Sequence, residues 1–204
     1  MPETEALQSR FQAAHTQVLG ISVDSIFCHS GWAVSLGGIS FPLLADFHPK
    51  GAVAMEYGLY LEENGITDRA TVIIDANGVV QHASSVTPGG RRDIGELAAL
   101  CEKVDKDHGG SLPDFGKPAG IGKVDALYVK SACGFSLKTL WAVDNLHLRD
   151  QVTVKNVTDD AGALDEMKKL SNQDKAPCMI VDGKPLLEAD DIIKHLVAGA
   201  TNLG

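Results

Sequence analysis

The order of strands and helices along the chain predicts an α/β protein of two similar units, the first lacking its N-terminal strands. Three observations carry this expectation. After residue 120 the apolar periodicity runs β-α-β-α-β-β-α, and before residue 106 the same order recurs with its opening strand missing. Between the two lies Asp107-His108-Gly109-Gly110-Ser111-Leu112-Pro113-Asp114-Phe115-Gly116-Lys117-Pro118-Ala119-Gly120, whose Gly, Pro and polar content marks a boundary. The turn dipeptides Asn77-Gly78 and Asp182-Gly183 each follow an apolar strand pattern near the end of a unit. The expected division is a domain at residues 1–106, a linker at 107–119 and a domain at 120–204.

From Glu3 to Ala14 the pattern is helical, with Leu7 and Phe11 on one face. Val18–Val23 is a short strand. Asp24-Ser25 punctuates it and can cap a helix near Cys28–Leu36. Phe41–Asp46 is briefly extended, and Gly51–Tyr57 is a helix that stops at Gly58. Ala70–Asp75 is β-branched and apolar, the mark of a buried strand. Asn77-Gly78 turns it into a second strand at Val79–Ala83. Arg92–Val104 closes the unit as a helix, with Ile94, Leu97, Leu100 and Cys101 facing one way. Beyond the linker the expected elements are strand Val124–Val129, helix Phe135–Asn145, strand Val152–Asn156 and helix Ala161–Ser171. Strand Cys178–Val181, a strand at Pro185–Leu187 and helix Asp190–Val197 complete the series.

Composition narrows the function classes. The net charge is −9 and Lys and Arg are scattered, so a nucleic-acid footprint is absent. No apolar stretch approaches the ~20 residues of a membrane span, and the polar start Met1-Pro2-Glu3-Thr4-Glu5 is unlike a signal peptide. Four dispersed cysteines, Cys28, Cys101, Cys133 and Cys178, form neither a disulfide scaffold nor a metal-ligand spacing. A reducing, cytoplasmic setting follows, in which a cysteine is either reactive or buried.

Several stretches of the first unit come in a familiar order: Ile21-Ser22-Val23-Asp24-Ser25, Trp32, Phe41–Asp46, Tyr57-Gly58-Leu59-Tyr60, and Asp68-Arg69-Ala70 through Asn77-Gly78. Together they resemble the peroxiredoxin (AhpC/TSA) family over residues 1–105. The resemblance implies a thioredoxin fold and a thiolate at the first turn of a helix, with Arg69 polarising the peroxide; the plain alternative for Arg69 is a surface arginine at a strand edge. Glu3, Leu7 and Arg10 fit the family's offsets if its nucleophile lies directly before Met1. That implies a first domain truncated at its reactive residue, a cysteine or a selenocysteine encoded upstream; the alternative is an arbitrary truncation or a degenerate paralogue. The strand between Val18–Val23 and Ala70–Asp75 would then also be missing, leaving ladder groups unpaired, so that the domain rearranges, pairs with another chain or folds poorly. Cys28 lies where some family members place a resolving thiol, the alternative being a half-buried small residue.

In the second unit, Ser131-Ala132-Cys133-Gly134-Phe135-Ser136 follows a strand and opens a helix. A cysteine there meets unpaired N–H groups and a partial positive charge, which favour its thiolate. Cys-Gly-Phe-Ser resembles the single-thiol glutaredoxin motif. The resemblance extends to Lys175-Ala176-Pro177, matching the family's cis-proline, and to the stretch Lys184–Ile193, toward glutathione transferases at its end. It implies that Lys130, Ala176, Pro177, Asp190 and Asp191 bind glutathione, while Ser136 cannot close a disulfide with Cys133. Leu187-Glu188 replaces the two glycines of many glutaredoxins.

The resulting expectation is thiol-dependent peroxide reduction by a peroxiredoxin–glutaredoxin hybrid, with glutathione as reductant and small peroxides as substrate. Catalytic residues are Cys133, Arg69 and Cys28, no metal takes part, and the chain forms a homo-oligomer. As it stands it keeps at most the glutaredoxin-type exchange. The alternative is a non-enzymatic module holding an iron–sulfur cluster through Cys133 and glutathione. Cys101 and Cys178 are expected in the core.

Overall fold

A computed structural model describes residues 1–202 of the protein. By its internal contacts the chain divides into Met1–His29 with Phe41–Phe115, and Ser30–Ser40 with the residues from Gly116 onward.

The first unit opens with two short helices, α1 (Pro2–Ala6) and α2 (Gln8–Ala13), where the periodicity had suggested one. The break is at Leu7, with φ −104° and ψ 11°. There the Leu7 amide bonds to Thr4 O, three residues back, at 3.2 Å. The tighter turn still leaves Leu7 and Phe11 packed on one core, with Ala14, Ile73, Ile94, Ala98 and Cys101. Next come β1 (Gly20–Ser22), α3 (Ile26–Ser35, whose residues from Ser30 on group with the second unit), β2 (Leu43–Ala45), α4 (Ala52–Glu56), β3 (Tyr60–Leu61), β4 (Ile66–Thr67), β5 (Ala70–Ile74), β6 (Val80–Ser85) and α5 (Ile94–His108).

These strands make three separate two-stranded sheets: β1 with β2 in parallel, β3 with β4, and β5 with β6 antiparallel. The last is the expected Asn77-Gly78 hairpin. Gly78 has φ +79°, and Asp75 Oδ1 accepts from the amides of Asn77 and Val79 at 2.9 Å each. β3 and β4 are too short to leave a two-residue alternation in the sequence and were not anticipated. The strand at Ala70–Ile74 is also less buried than its composition suggests. Ile73 alone is buried, because a two-stranded sheet covers few of its neighbours. At α5 the N-cap Asp93 accepts from Glu96 N at 2.9 Å, and the helix runs on to His108 before the left-handed Gly109 stops it.

The second unit contains β7 (Val124–Val129), α6 (Gly134–Asn145), β8 (Val154–Asn156), α7 (Ala161–Ser171), β9 (Cys178–Val181), β10 (Lys184–Leu186) and α8 (Ala189–Ala200). This is the expected β-α-β-α-β-β-α order of the thioredoxin fold. The strands form one sheet in the order β10-β9-β7-β8, with β7 parallel to β8 and antiparallel to β9. Alternation along β7 fills both faces. Leu127 and Val129 join Val143, Met179, Ile192 and Leu196, while Ala126 and Tyr128 join Met167, Cys178 and Ile180. The central strand is therefore almost continuously apolar, as a strand covered on both sides must be. Among the described residues no helix is long and apolar enough to cross a membrane.

Candidate thiol site at the start of helix α6

The covered sheet fixes where β7 ends, and the four residues after it carry the chemistry. Lys130, Ser131 and Ala132 lead to Cys133, the N-cap of α6, with extended backbone at φ −109° and ψ 115°. Ala132 is left-handed at φ +52°, a conformation that costs an alanine about 1 kcal/mol. The Cys133 carbonyl accepts the first helical bond, from Leu137 N at 2.9 Å. Its half-buried thiol therefore meets the unpaired N–H groups of the first turn.

Those groups set its acidity. The Cys133 thiol lies below the ordinary cysteine value, chiefly because the Ser136 hydroxyl donates to sulfur. The amides of Ser136 and Phe135 and the charge of Lys130 act in the same direction, and partial burial opposes them. Ser136 is itself buried. Its Oγ accepts from Lys130 N at 3.0 Å, which leaves the hydroxyl proton for the sulfur. In the sequence this serine registers only as an absent second cysteine. Its donor role was missed, although its place three residues into a helix is where such a hydroxyl can reach the N-terminus.

The opposite wall is the Ala176-Pro177 peptide bond, which is cis as expected. Ala176 O lies 3.9 Å from Cys133 Sγ and can accept from it as a thiol. Lys130 Nζ donates to Asp174 O at 3.0 Å, so its charge is tethered on this wall. At the start of α8, Asp190 is paired with Lys138 of α6, which lowers its carboxyl below the usual range. Asp191 lies 3.9 Å from Lys194. Phe135 and Leu137 are exposed beside the thiol. Lys138 and Asp190 are far apart in sequence, and nothing in the sequence pattern links them.

The other three cysteines differ. Burial pushes Cys101 and Cys178 up, and both are core residues as expected. Cys28 is exposed on α3, with Sγ 3.7 Å from Asp24 Oδ1, and the Asp24 charge raises its pKa. In the first unit Arg69 precedes β5, and its amide bonds to Asp68 Oδ1 at 2.7 Å. Beside it is Arg92, which the sequence reading did not single out. Arg92 Nη2 donates to Ala70 O at 2.7 Å, and its Nε is buried without a hydrogen-bond partner. The Met1 amino group is lowered first by burial and then by the charges of Arg92 and Arg69. Both guanidinium charges thus act on the amino group at the head of α1. Among the described residues no group of three or more His, Cys, Asp and Glu side chains is placed to hold a metal ion.

Comparison with known proteins accounts for both units. Residues 1–83 match the AhpC/TSA family, and residues 126–186 match the glutaredoxin family. The alkyl hydroperoxide reductase E of Mycobacterium tuberculosis is 40% identical over 83 residues, covering 41% of this chain and 54% of that protein. The chloroplastic 2-Cys peroxiredoxin BAS1 of Spinacia oleracea is 34% identical over 118 residues, covering 55% of this chain and 43% of that protein. The chain spans about half the length of these relatives. Among solved structures, AhpC of Mycobacterium bovis is 27% identical with a TM-score of 0.48, covering 55% of this chain and 61% of that one.

Proposed function

We propose that this chain, an AhpC/TSA-family segment joined to a glutaredoxin domain, serves thiol-dependent peroxide reduction with glutathione as reductant, and that Cys133 carries its thiol–disulfide exchange. On this reading residues 107–119 connect a domain at 1–106 to one at 120–204. The observation that carries the proposal is the half-buried Cys133 thiol at the N-cap of α6, 3.9 Å from Ala176 O of the cis Ala176–Pro177 peptide.

The exchange balances as follows. The Cys133 thiolate attacks the glutathionyl sulfur of a mixed disulfide. The old S–S bond breaks, and the departing thiolate takes up a proton. A new disulfide then joins Cys133 to glutathione. The thiolate of a second glutathione attacks that bond, releasing oxidised glutathione and restoring the Cys133 thiolate. Ser136 has no sulfur, so resolution falls to the second glutathione. The Ser136 hydroxyl and the first-turn amides stabilise Cys133 as attacking and as leaving thiolate. The Ala176 backbone, Pro177, Lys130, Asp190 and Asp191 form the wall for the tripeptide. Its carboxylates fit the Lys130 and Lys138 charges, and its amine fits the two aspartates.

In the first unit Arg69 and Arg92 supply the cationic setting in which a peroxide O–O bond is polarised. Reduction of a hydroperoxide by two glutathiones gives an alcohol, one water and oxidised glutathione, and of that sequence this chain carries the exchange at Cys133. Cys28 is the proposed resolving thiol, which the raised pKa makes slow near neutrality. The chain is a cytoplasmic homo-oligomer on this reading.

The test is reduction of a small glutathione mixed disulfide by the full chain. Cys133→Ser is expected to abolish it, and Cys101→Ser to leave it unchanged. Equal rates in the two variants sink the assignment.

A further inference from the structure

The segment from Lys130 to Cys133 leaves the sheet, passes through a left-handed alanine and enters a helix, with no regular structure of its own. What holds it is a turn on the neighbouring strand. β8 lies parallel to β7 with Asn156 opposite Val129, and Val157 N bonds to Val129 O at 2.9 Å. The chain after β8 therefore runs beside the thiol segment. Asn156 Oδ1 accepts from Thr158 N at 3.0 Å and shapes the turn. Asn156 Nδ2 spends both hydrogens, on Ser131 Oγ at 2.8 Å and on Asp159 Oδ2 at 2.6 Å. Ser131 Oγ donates in turn to Asp159 Oδ2 at 3.4 Å. Thr158 Oγ1 accepts from Ser131 N at 3.0 Å. Ser131 is thus held at both its amide and its hydroxyl.

We propose that the turn at residues 156–159 positions Cys133, with Asn156 and Thr158 as positioning residues for the exchange reaction. The inference rests on Cys133 being the exchange thiol. Neither Asn156 nor Thr158 has a contact with the sulfur. They act through Ser131, which fixes the backbone on either side of it. On one side is Lys130, whose amide orients the Ser136 hydroxyl toward sulfur. On the other is Ala132, whose left-handed backbone aims Cys133 at the helix N-terminus. With Ser131 loose, Ala132 relaxes toward an extended conformation and both alignments degrade. The network faces solvent, so water replaces part of each lost bond and the expected effect is a small factor.

The experiment uses the full chain and the variants Thr158→Val, Thr158→Ser and Asn156→Ala. One readout is the pH profile of Cys133 alkylation by iodoacetamide, followed by mass spectrometry on the peptide containing Cys133. The other is kcat and KM for a glutathione mixed disulfide. Thr158→Val keeps the shape but removes the acceptor, and Thr158→Ser restores it. Expected for Thr158→Val and Asn156→Ala is an alkylation profile displaced to higher pH. Their kcat should fall about three- to tenfold with KM little changed, while Thr158→Ser behaves like the parent. Unchanged alkylation profiles in Thr158→Val and Asn156→Ala overturn the proposal, as does a Thr158→Ser variant displaced as far as Thr158→Val. Displaced profiles together with an active Cys133→Ser variant uphold the positioning and overturn the exchange role alone.

Discussion

In the second unit Leu127, Tyr128, Met167, Met179, Ile192 and Leu196 have no exposed surface at all, whereas in the first unit Phe27, Phe47, Val80 and Ile74 are 64%, 59%, 52% and 47% exposed. Both units draw on similar apolar runs. The difference is the sheet. Four strands in one sheet give β7 a neighbour on each edge and helices on each face, so Ala126, Leu127, Tyr128 and Val129 are all buried. Three two-stranded sheets leave edges without a partner strand among the described residues, and alternate residues stay in water. The Cys133 pKa is set by short-range donors at the start of α6, which the four-stranded sheet holds in place. Charges such as Arg69 and Arg92 act over longer distances and tolerate the two-stranded arrangement.

Stability breaks or sharpens this contrast most strongly. Removing a side chain that is fully packed leaves a cavity, so Met179→Ala or Leu127→Ala should cost about 2–5 kcal/mol. Ile73→Ala lies under a thinner cover and should fall at or below the low end of that range. Urea unfolding followed by hydrogen exchange, resolved by segment, measures both. An Ile73→Ala loss as large as that of Met179→Ala would mean that the first unit is packed as tightly as the second.

Association comes next. Unpartnered strand edges and exposed Phe47, Ile74 and Val80 favour pairing between copies. Light scattering is expected to give a mass of more than one chain, and Ile74→Lys, a charge on an exposed strand position, should lower it. A monomer at all concentrations would mean that the exposed side chains are tolerated singly.

The units also treat their accessible thiols oppositely. Ser136→Ala removes the hydroxyl donor and should raise the Cys133 pKa, slowing its alkylation near neutrality by about three- to tenfold. Above the cysteine range the variant and the parent should converge, because both are then ionised. Asp24→Asn removes the charge that raises Cys28, so its alkylation should quicken. Changes in the same direction for both cysteines would remove the electrostatic explanation.

How much of this was legible in the sequence follows the same division. The strand and helix bounds of Val124–Val129, Ala161–Ser171 and Cys178–Val181 agree with the pattern to the residue, because a two-sided core imposes unbroken apolar strands. In the first unit the pattern implied a buried Ala70–Asp75, but burial depends on neighbouring strands that a local pattern does not report. The placement of Cys133 before a helix and opposite Pro177 was visible as a motif. The Ser136 hydroxyl bond and the Lys138–Asp190 pair were not. Each depends on side-chain geometry or on two elements meeting in space, and period and spacing carry no record of either.

The smallest expected effect concerns the connector. His15, left-handed at φ +47°, lies after α2 with Nδ1 2.7 Å from Asp105 Oδ1 and Nε2 3.2 Å from Asp114 Oδ1. Two carboxylates on two ring nitrogens require both nitrogens to carry protons. The hydrogen bond to Asp105 and then that to Asp114 raise the His15 pKa. A raised histidine contributes fully below its ordinary value of ~6.5, and the contribution fades as pH rises through the folded value. Asp114 is almost wholly exposed and belongs to the stretch between α5 and β7, so the first contact to loosen should be with that stretch. Chymotryptic cleavage after Phe115, expressed relative to a His15→Asn variant at each pH, should therefore be low near pH 6 and rise toward the variant's rate above it. Asparagine tolerates the left-handed backbone, so the variant changes the ring and little else. A cleavage ratio independent of pH would show that Asp114 gains nothing from His15.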